Sequence, residues 1–351
     1  MKKYTLQKNL IIIAFTSFLG LSAGQAQTLE NSEKVSSNSN IYQPVYNPED
    51  GYIYVSAAKE NQPGTTTGYV YKIDANSLKT IDSIAVPFSP PMGIGINVKT
   101  QFLYTTNSRT GLVTAIDLAS GKQKHISAAV PVVNAREVIV DETRNLIYVT
   151  NVKAGGIWVI DGVSNTFQRF IYNLGGAITG AALDTENNRL YATAMRDNKI
   201  IVVDAGTGIV EKRLDAHGER PTNVYFDKAK NRLFVANQTT ENITVLDAES
   251  GELIKEISTG KGALGVDYDP KNDLIYVANR HGRSVNVVSG SSLEILDTFD
   301  MQGLPNTFAI DHANGNVYVT LKDAIEEKDE QGNTFVNEAK YGDAVSLIKS
   351  E

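Results

Sequence analysis

One aromatic-led phrase returns seven times along the 351-residue chain, at Tyr54, Tyr104, Tyr148, Tyr191, Phe234, Tyr276 and Tyr318. The steps between these residues are 50, 44, 43, 43, 42 and 42. A period of that size marks an array of one small unit, since no single unit can bury its own apolar face. The phrase reads YVSA, YTTN, YVTN, YATA, FVAN, YVAN and YVTL. Seven residues ahead of each aromatic stands an amide or carboxylate: Asn47, Asn97, Asp141, Asp184, Asp227, Asp269 and Asp311. Thirteen residues after four of the aromatics comes an Asp (Asp117, Asp161, Asp204, Asp247) that ends an apolar run and opens a turn such as Ala205-Gly206-Thr207-Gly208. Short polar side chains bond their own backbone in such turns, so these Asp residues read as structural.

Each repeat divides into four short strands with β-branched content and no helical period. In the fourth repeat strand A is Ala181–Leu183, B is Leu190–Thr193, C is Ile200–Val203 and D is Ile209–Arg213. The pattern predicts an all-β seven-bladed β-propeller of four-stranded antiparallel blades, with strand A lining a central channel. The recurring aromatic then packs blade against blade. The last repeat offers A (Asn306–Ile310), B (Asn316–Thr320) and C (Ala344–Ile348) but no D. An N-terminal strand, expected near Ser32–Ser37, closes the ring and hides its edges. Two insertions, Lys59–Thr67 and Lys322–Tyr341, fall between strands B and C. The second carries the run Glu326–Glu330 and reads as a solvated, mobile loop.

Ahead of the repeats, Lys2, Lys3 and Lys8 precede an apolar run from Leu10 to Leu21, followed by Ser22, Ala23, Gly24 and Ala26. This is the layout of a secretory signal peptide, with cleavage expected after Ala26. The run is short of the ~20 residues that span a bilayer, and no second run of spanning length follows. The expected organisation is a signal peptide over 1–26, a segment with the closing strand over 27–40, and the propeller over 41–351. The product is expected to be exported, periplasmic or secreted, and monomeric.

The YVTN phrase at Tyr148–Asn151 is that of the YVTN-repeat β-propeller family, which this sequence resembles from about Ile41 to Ile348. More narrowly it is similar to the bacterial YncE group, with Arg136-Glu137 in a D-to-A loop and a polar insertion in the last blade. That resemblance implies an exported WD40/YVTN-like propeller without established catalysis and linked to nucleic-acid binding. It specifies fold more than function, because propellers host unrelated activities.

The residues themselves point to an anion. The D-to-A and B-to-C loops of a propeller share one face, here termed the top. At the fourth and fifth residues after the aromatics stand Lys59, Arg109, Lys153, Arg196, Arg280 with His281, and Lys322, and blade 5 alone departs with Gln238-Thr239. Six of these fourteen positions are Lys or Arg, against 33 in 351 over the chain. So a protein of net charge −7 places a basic ring at its channel mouth, where a low-dielectric funnel concentrates anions. Lys153, Arg196 and Arg280 would supply charge, with Arg109, Lys59 and Lys322 peripheral. Arg136 and Glu137 would orient the ligand or pair with each other. Asn107, Asn151, Asn237 and Asn279 end the B strands, as amide donors or as backbone caps. Strand A entrances add Thr179, Thr222, Asn223 and Asn306. The ligand could be a phosphate backbone, a carboxylated small molecule or an acidic partner protein; a separate alternative is a protein-interaction scaffold whose rim recognises an outer-membrane or envelope protein. Single-stranded nucleic acid wants aromatic platforms, and Met195 and Tyr42 are the nearest residues to that on the mapped loops.

Catalysis is less well supplied. With no cysteine there is no thiolate nucleophile or Cys-ligated metal. Of four histidines, His125, His217, His281 and His312, none has metal-ligand spacing, and no cofactor is expected. The rival reading is a channel-site hydrolase or lyase on Glu137, His217 and His281, with Glu219 as a further carboxylate. A lactonase-like metal on Glu137, Asn223 and Asn279 rests on fold analogy.

Overall fold

A computed structural model describes residues 27–31, 35, 40–58, 67–88, 90–107, 110–128, 134–323, 326–328, 334–336 and 342–350. The expected signal peptide, Lys59 and Arg109 lie outside these residues. Seven four-stranded antiparallel sheets follow one another, six of them built from consecutive strands. The A strands are Ile41–Asn47, Pro91–Asn97, Ala135–Asp141, Ile178–Asp184, Pro221–Asp227, Ala263–Asp269 and Leu304–Asp311.

Each motif aromatic is at most 1% exposed and reaches into the next blade. Tyr148 of blade 3 packs with Ile178, Leu190 and Ile201 of blade 4, and Tyr318 of blade 7 packs with Ile53 and Ile73 of blade 1. Burying such a ring removes 150–250 Å² from water, which makes these contacts the main apolar cement between sheets. The Asp residues named above do local work. Asp141 accepts from the Thr143 and Arg144 amides, and Asp247 from the Glu249 and Ser250 amides. Bonds from the hydroxyl and amide of the Ser or Thr three residues on hold the Asp117, Asp161, Asp204 and Asp247 carboxyls below their ordinary range.

The third motif residue has a role that its small size conceals. The hydroxyl of Thr106 accepts from the Gly93 amide (2.8 Å) and donates to the Arg136 carbonyl of the next blade (2.7 Å). Thr150 does the same with Glu137 and Thr179. Each such hydroxyl stands in for a ladder partner inside a bulge of strand A, where the A–B register jumps from the first to the fourth position. Blades 5 and 6 carry Ala236 and Ala278 instead, and there the irregularity shortens. Thr320 donates to the Tyr42 carbonyl at 2.6 Å and so fastens blade 7 to blade 1.

The ring closes through the N-terminal segment, but earlier than expected. Gln27–Asn31 pairs antiparallel with Ala344–Ser350 as the fourth strand of blade 7. Leu29 supplies the inward apolar residue of a period-two strand and packs on the blade 7 core. The serine-rich stretch after it has no such alternation. Of that stretch Val35 is described: it is buried between blades 7 and 1, and its amide bonds the Asp343 carbonyl. The blade 7 insertion also differs from a plain loop, since Glu326–Lys328 and Thr334–Val336 form an antiparallel hairpin.

Candidate functional site

The bulge in strand A turns its second and third residues toward the channel, and the charged chemistry of the molecule gathers there. Arg136, the second residue of the blade 3 strand, crosses to two other blades. It donates to the Thr222 carbonyl of blade 5 (3.2 Å) and to the Tyr42 hydroxyl of blade 1 (3.1 Å). Arg280, at the end of strand B in blade 6 (Leu274–Asn279), is half-buried and donates to Asn306 of blade 7. Lys322, ending strand B of blade 7 (Asn316–Lys322), places its ammonium 5.8 Å from the Tyr42 ring centre. Three cations from three blades thus converge on one phenol from a fourth.

The electrostatics are lopsided. Burial would push the Tyr42 phenol up, but Arg136, with its hydrogen bond, Arg280 and Lys322 outweigh it and hold the phenol below its ordinary value. Burial, with Arg136 adding to it against the pull of Tyr42, holds Arg280 below its ordinary value. A site that keeps cations this close favours an incoming negative charge.

Beneath the Arg136 bar lies a chamber of 390 Å³ lined by residues of the third to sixth positions of the A strands. Four residues before the Asn or Asp that ends each A strand, one layer alternates around the ring as Gln43, Gly93, Glu137, Gly180, Asn223, Gly265 and Thr307. The small residues make room for the long ones: a Cβ at Gly180 would meet Glu137 Oε2 at 2.9 Å. Long side chains also take an amide of the following blade. Ile94 donates to Gln43 Oε1 at 3.3 Å, Ala181 to the Glu137 carboxylate and Val266 to Asn223 Oδ1 at 3.1 Å. The pattern fails once, because the residue that would serve Thr307 is Pro44, which has no N–H. The Thr307 hydroxyl is left without a partner. Burial pushes the Glu137 carboxyl up to about 7, although Arg136, Asn223 and the Ala181 amide pull the other way. Burial likewise pushes Asp267, deeper in the chamber, up to about 7.

The residues singled out from sequence therefore separate into groups. Arg136, Glu137, Arg280 and Asn223 meet in the channel. Lys153 and Arg196 are exposed on outer turns of the same face, joined by Arg220 and Lys261 from D-to-A loops that a scan of B-to-C positions misses. Asn107, Asn151, Asn237 and Asn279 are fully buried within their own blades. Asn237 bonds Asn242 and Thr244, Asn279 bonds Ser284 and Asn286, Asn107 bonds Thr114, and Asn151 accepts from the Ala154 amide.

The hydrolase set does not assemble. His217 turns outward to the Gly251 carbonyl (3.2 Å), and neither it nor His281 lines the chamber that holds Glu137. The metal set fares no better. Asn279 is locked in its turn, and Asn223 gives its carbonyl to Val266 and its amide nitrogen to Glu137 at 3.0 Å. That leaves Glu137 as the one oxygen donor of the three facing the chamber, so these residues do not fit a channel metal. Among the described residues no group of three His, Asp or Glu side chains is placed to hold an ion.

Comparison with known proteins agrees with the architecture. The chain is 28% identical over 179 residues to "Uncharacterized protein YncE" of Escherichia coli (strain K12), covering 48% of this chain and 50% of that protein. It spans about half the length of that relative. The match to the protein of the same name from Salmonella typhi is 27% over 293 residues, covering 80% of this chain and 82% of the other. Residues 18–239 match the SMP-30/Gluconolactonase/LRE-like region family, and the chain belongs to that family.

Proposed function

We propose that this protein is an exported propeller that binds an anionic group of its ligand at the top of the channel. The observation that carries this reading is the convergence of Arg136, Arg280 and Lys322 on Tyr42. Arg136 and Arg280 would receive a carboxylate or phosphate in a partly desolvated mouth, where charge-assisted bonds are strongest. Lys153, Arg196, Arg220 and Lys261 on the rim would raise the local anion concentration and the association rate more than the final affinity. The basic leader and small-residue site before Gln27 support export. An envelope protein presenting an acidic segment would satisfy the same mouth.

A second reading, single-stranded nucleic acid, gains from two residues on the D-to-A loops of the top face. Phe88 is 60% exposed and Tyr172 is 58% exposed, and each stands where a base could stack. The test is fluorescence anisotropy of residues 27–351 with a labelled oligonucleotide at ~50 and ~200 mM salt, with inorganic pyrophosphate as competitor. Pyrophosphate competing for a site lost in Arg280→Ala supports the mouth. Binding that disappears in Phe88→Ala with Tyr172→Ala identifies a nucleic acid. No binding of either probe contradicts the proposal.

A further inference from the structure

The chamber below Arg136 has chemistry opposite to that of the mouth above it. Its lining holds two carboxylates, Glu137 and Asp267, and no Lys, Arg or His. Asp267 receives one hydrogen bond, from the adjacent Tyr268 amide at 2.8 Å. The Thr307 hydroxyl in the same wall has no partner, for the Pro44 reason given above. The lining also includes the amides Gln43 and Asn223, both engaged with neighbouring blades, and the rings of Tyr225, Phe226 and Phe308 among apolar side chains. A buried carboxylate in such surroundings must be neutralised by a proton or by a cation.

We infer that the chamber is a second binding site, for a small organic cation carrying one or two ammonium groups. An ammonium has three donors and no acceptor, and the chamber offers it the Glu137 and Asp267 carboxylates. Aromatic faces add cation–π attraction. At 390 Å³ the chamber is within the range of small-ligand sites and exceeds what a short alkyl diamine occupies. A calcium or magnesium ion is served worse, since either takes six or more oxygens and Asn223 has already given its own to Val266.

The site is linked to pH. Glu137 faces Arg136 on its own strand, Asn223 from blade 5, the Ala181 amide from blade 4 and Asp267 from blade 6. Asp267 faces Tyr225 from blade 5, Asp269 on its own strand and His312 from blade 7. Both carboxyls lie near neutrality, so an ammonium displaces protons on binding, and affinity rises as pH increases through 7.

Calorimetric titration of residues 27–351 with putrescine, with butane-1,4-diol as the uncharged control, tests the inference. Putrescine should bind at pH 8 and bind about tenfold more weakly, or worse, at pH 6. Asp267→Asn, which keeps shape and removes charge, should weaken putrescine about tenfold or more and leave pyrophosphate binding unchanged. Thermal melting confirms that this variant is folded, and Tyr225→Leu, which removes an aromatic face from the lining, gives a second, uncharged perturbation with a few-fold loss. Equal binding of the diol, no putrescine binding at pH 8, or putrescine binding indifferent to Asp267→Asn would each overturn the inference. A failure of the mouth reading alone would appear as lost pyrophosphate binding with putrescine binding intact.

Discussion

The mouth and the chamber share one channel and are separated by one side chain, yet they solve the problem of buried charge in opposite ways. At the mouth, Arg136, Arg280 and Lys322 crowd a phenol and depress its pKa. Below it, burial lifts the pKa values of two carboxyls toward 7. The contrast shows that channel electrostatics follow the depth of a residue along strand A more than the overall charge of the molecule. Second-position residues face the mouth, third- and fifth-position residues face the chamber, and the bulge held by a motif hydroxyl sets which is which.

Removing the divider is the strongest way to break the comparison. Arg136→Ala deletes bonds to Tyr42 and Thr222 and strips Glu137 of its nearest cation. It should cost about 2–4 kcal/mol of stability in urea unfolding, because truncating one member of a buried charge set leaves the others uncompensated. If Arg136→Ala unfolds at the wild-type midpoint, the bar is not a structural element.

The next contrast is between inner and rim cations. Arg280→Ala should weaken anion binding about 10- to 100-fold, as loss of a partly buried charged partner does. Lys153→Ala should change it about twofold and chiefly through the salt dependence of association, as exposed charges do. Equal effects would erase the distinction between mouth and rim.

A smaller effect separates the chamber from both. Glu137 and Asp267 are raised above their unfolded values of about 4, so the stability they confer is full below pH 4 and lost as pH climbs through about 7. Asp267→Asn should therefore raise the melting temperature at pH 8 and do little at pH 4, on the order of 1 kcal/mol at the higher pH. Scanning calorimetry at the two pH values decides it, and equal shifts at both would contradict the buried-acid account. Smallest of all, Tyr42→Phe removes one Arg136 acceptor and should cost about 1 kcal/mol.

The fold was readable because its signal repeats. Seven aromatics at one spacing, each flanked by the same turn residues, admit few architectures, and Tyr148 or Tyr276 performs in space what its position in the repeat implies. The closing strand was displaced to Gln27–Asn31 because a five-residue edge strand carries one inward residue, Leu29, and that is too little pattern to locate. Site residues were legible in kind and not in grouping. Arg136 meets Tyr42 and Thr222 across separations of 94 and 86 residues, and radial convergence of blades leaves no local trace in a sequence. Arg280 and Lys322 stand four residues after their aromatics, Lys153 and Arg196 five, and it is the first pair that reaches Tyr42 in the channel. Asp267 looks like any polar residue of a half-exposed strand, and the orphaned Thr307 hydroxyl follows from Pro44 on the far side of the ring closure. The threonine of the YVTN phrase was visible throughout, but its hydroxyl bonds the next blade, which a linear reading does not pair with it.

The most direct test of an anion-binding mouth is calorimetric titration of inorganic pyrophosphate into three proteins at ~50 mM salt: residues 27–351, Arg280→Ala, and the rim pair Lys153→Ala with Arg196→Ala. The account predicts binding to the first, about 10- to 100-fold loss in the second and near-native affinity in the third. Binding that survives Arg280→Ala but is lost with the rim pair would move the site out of the channel and contradict it.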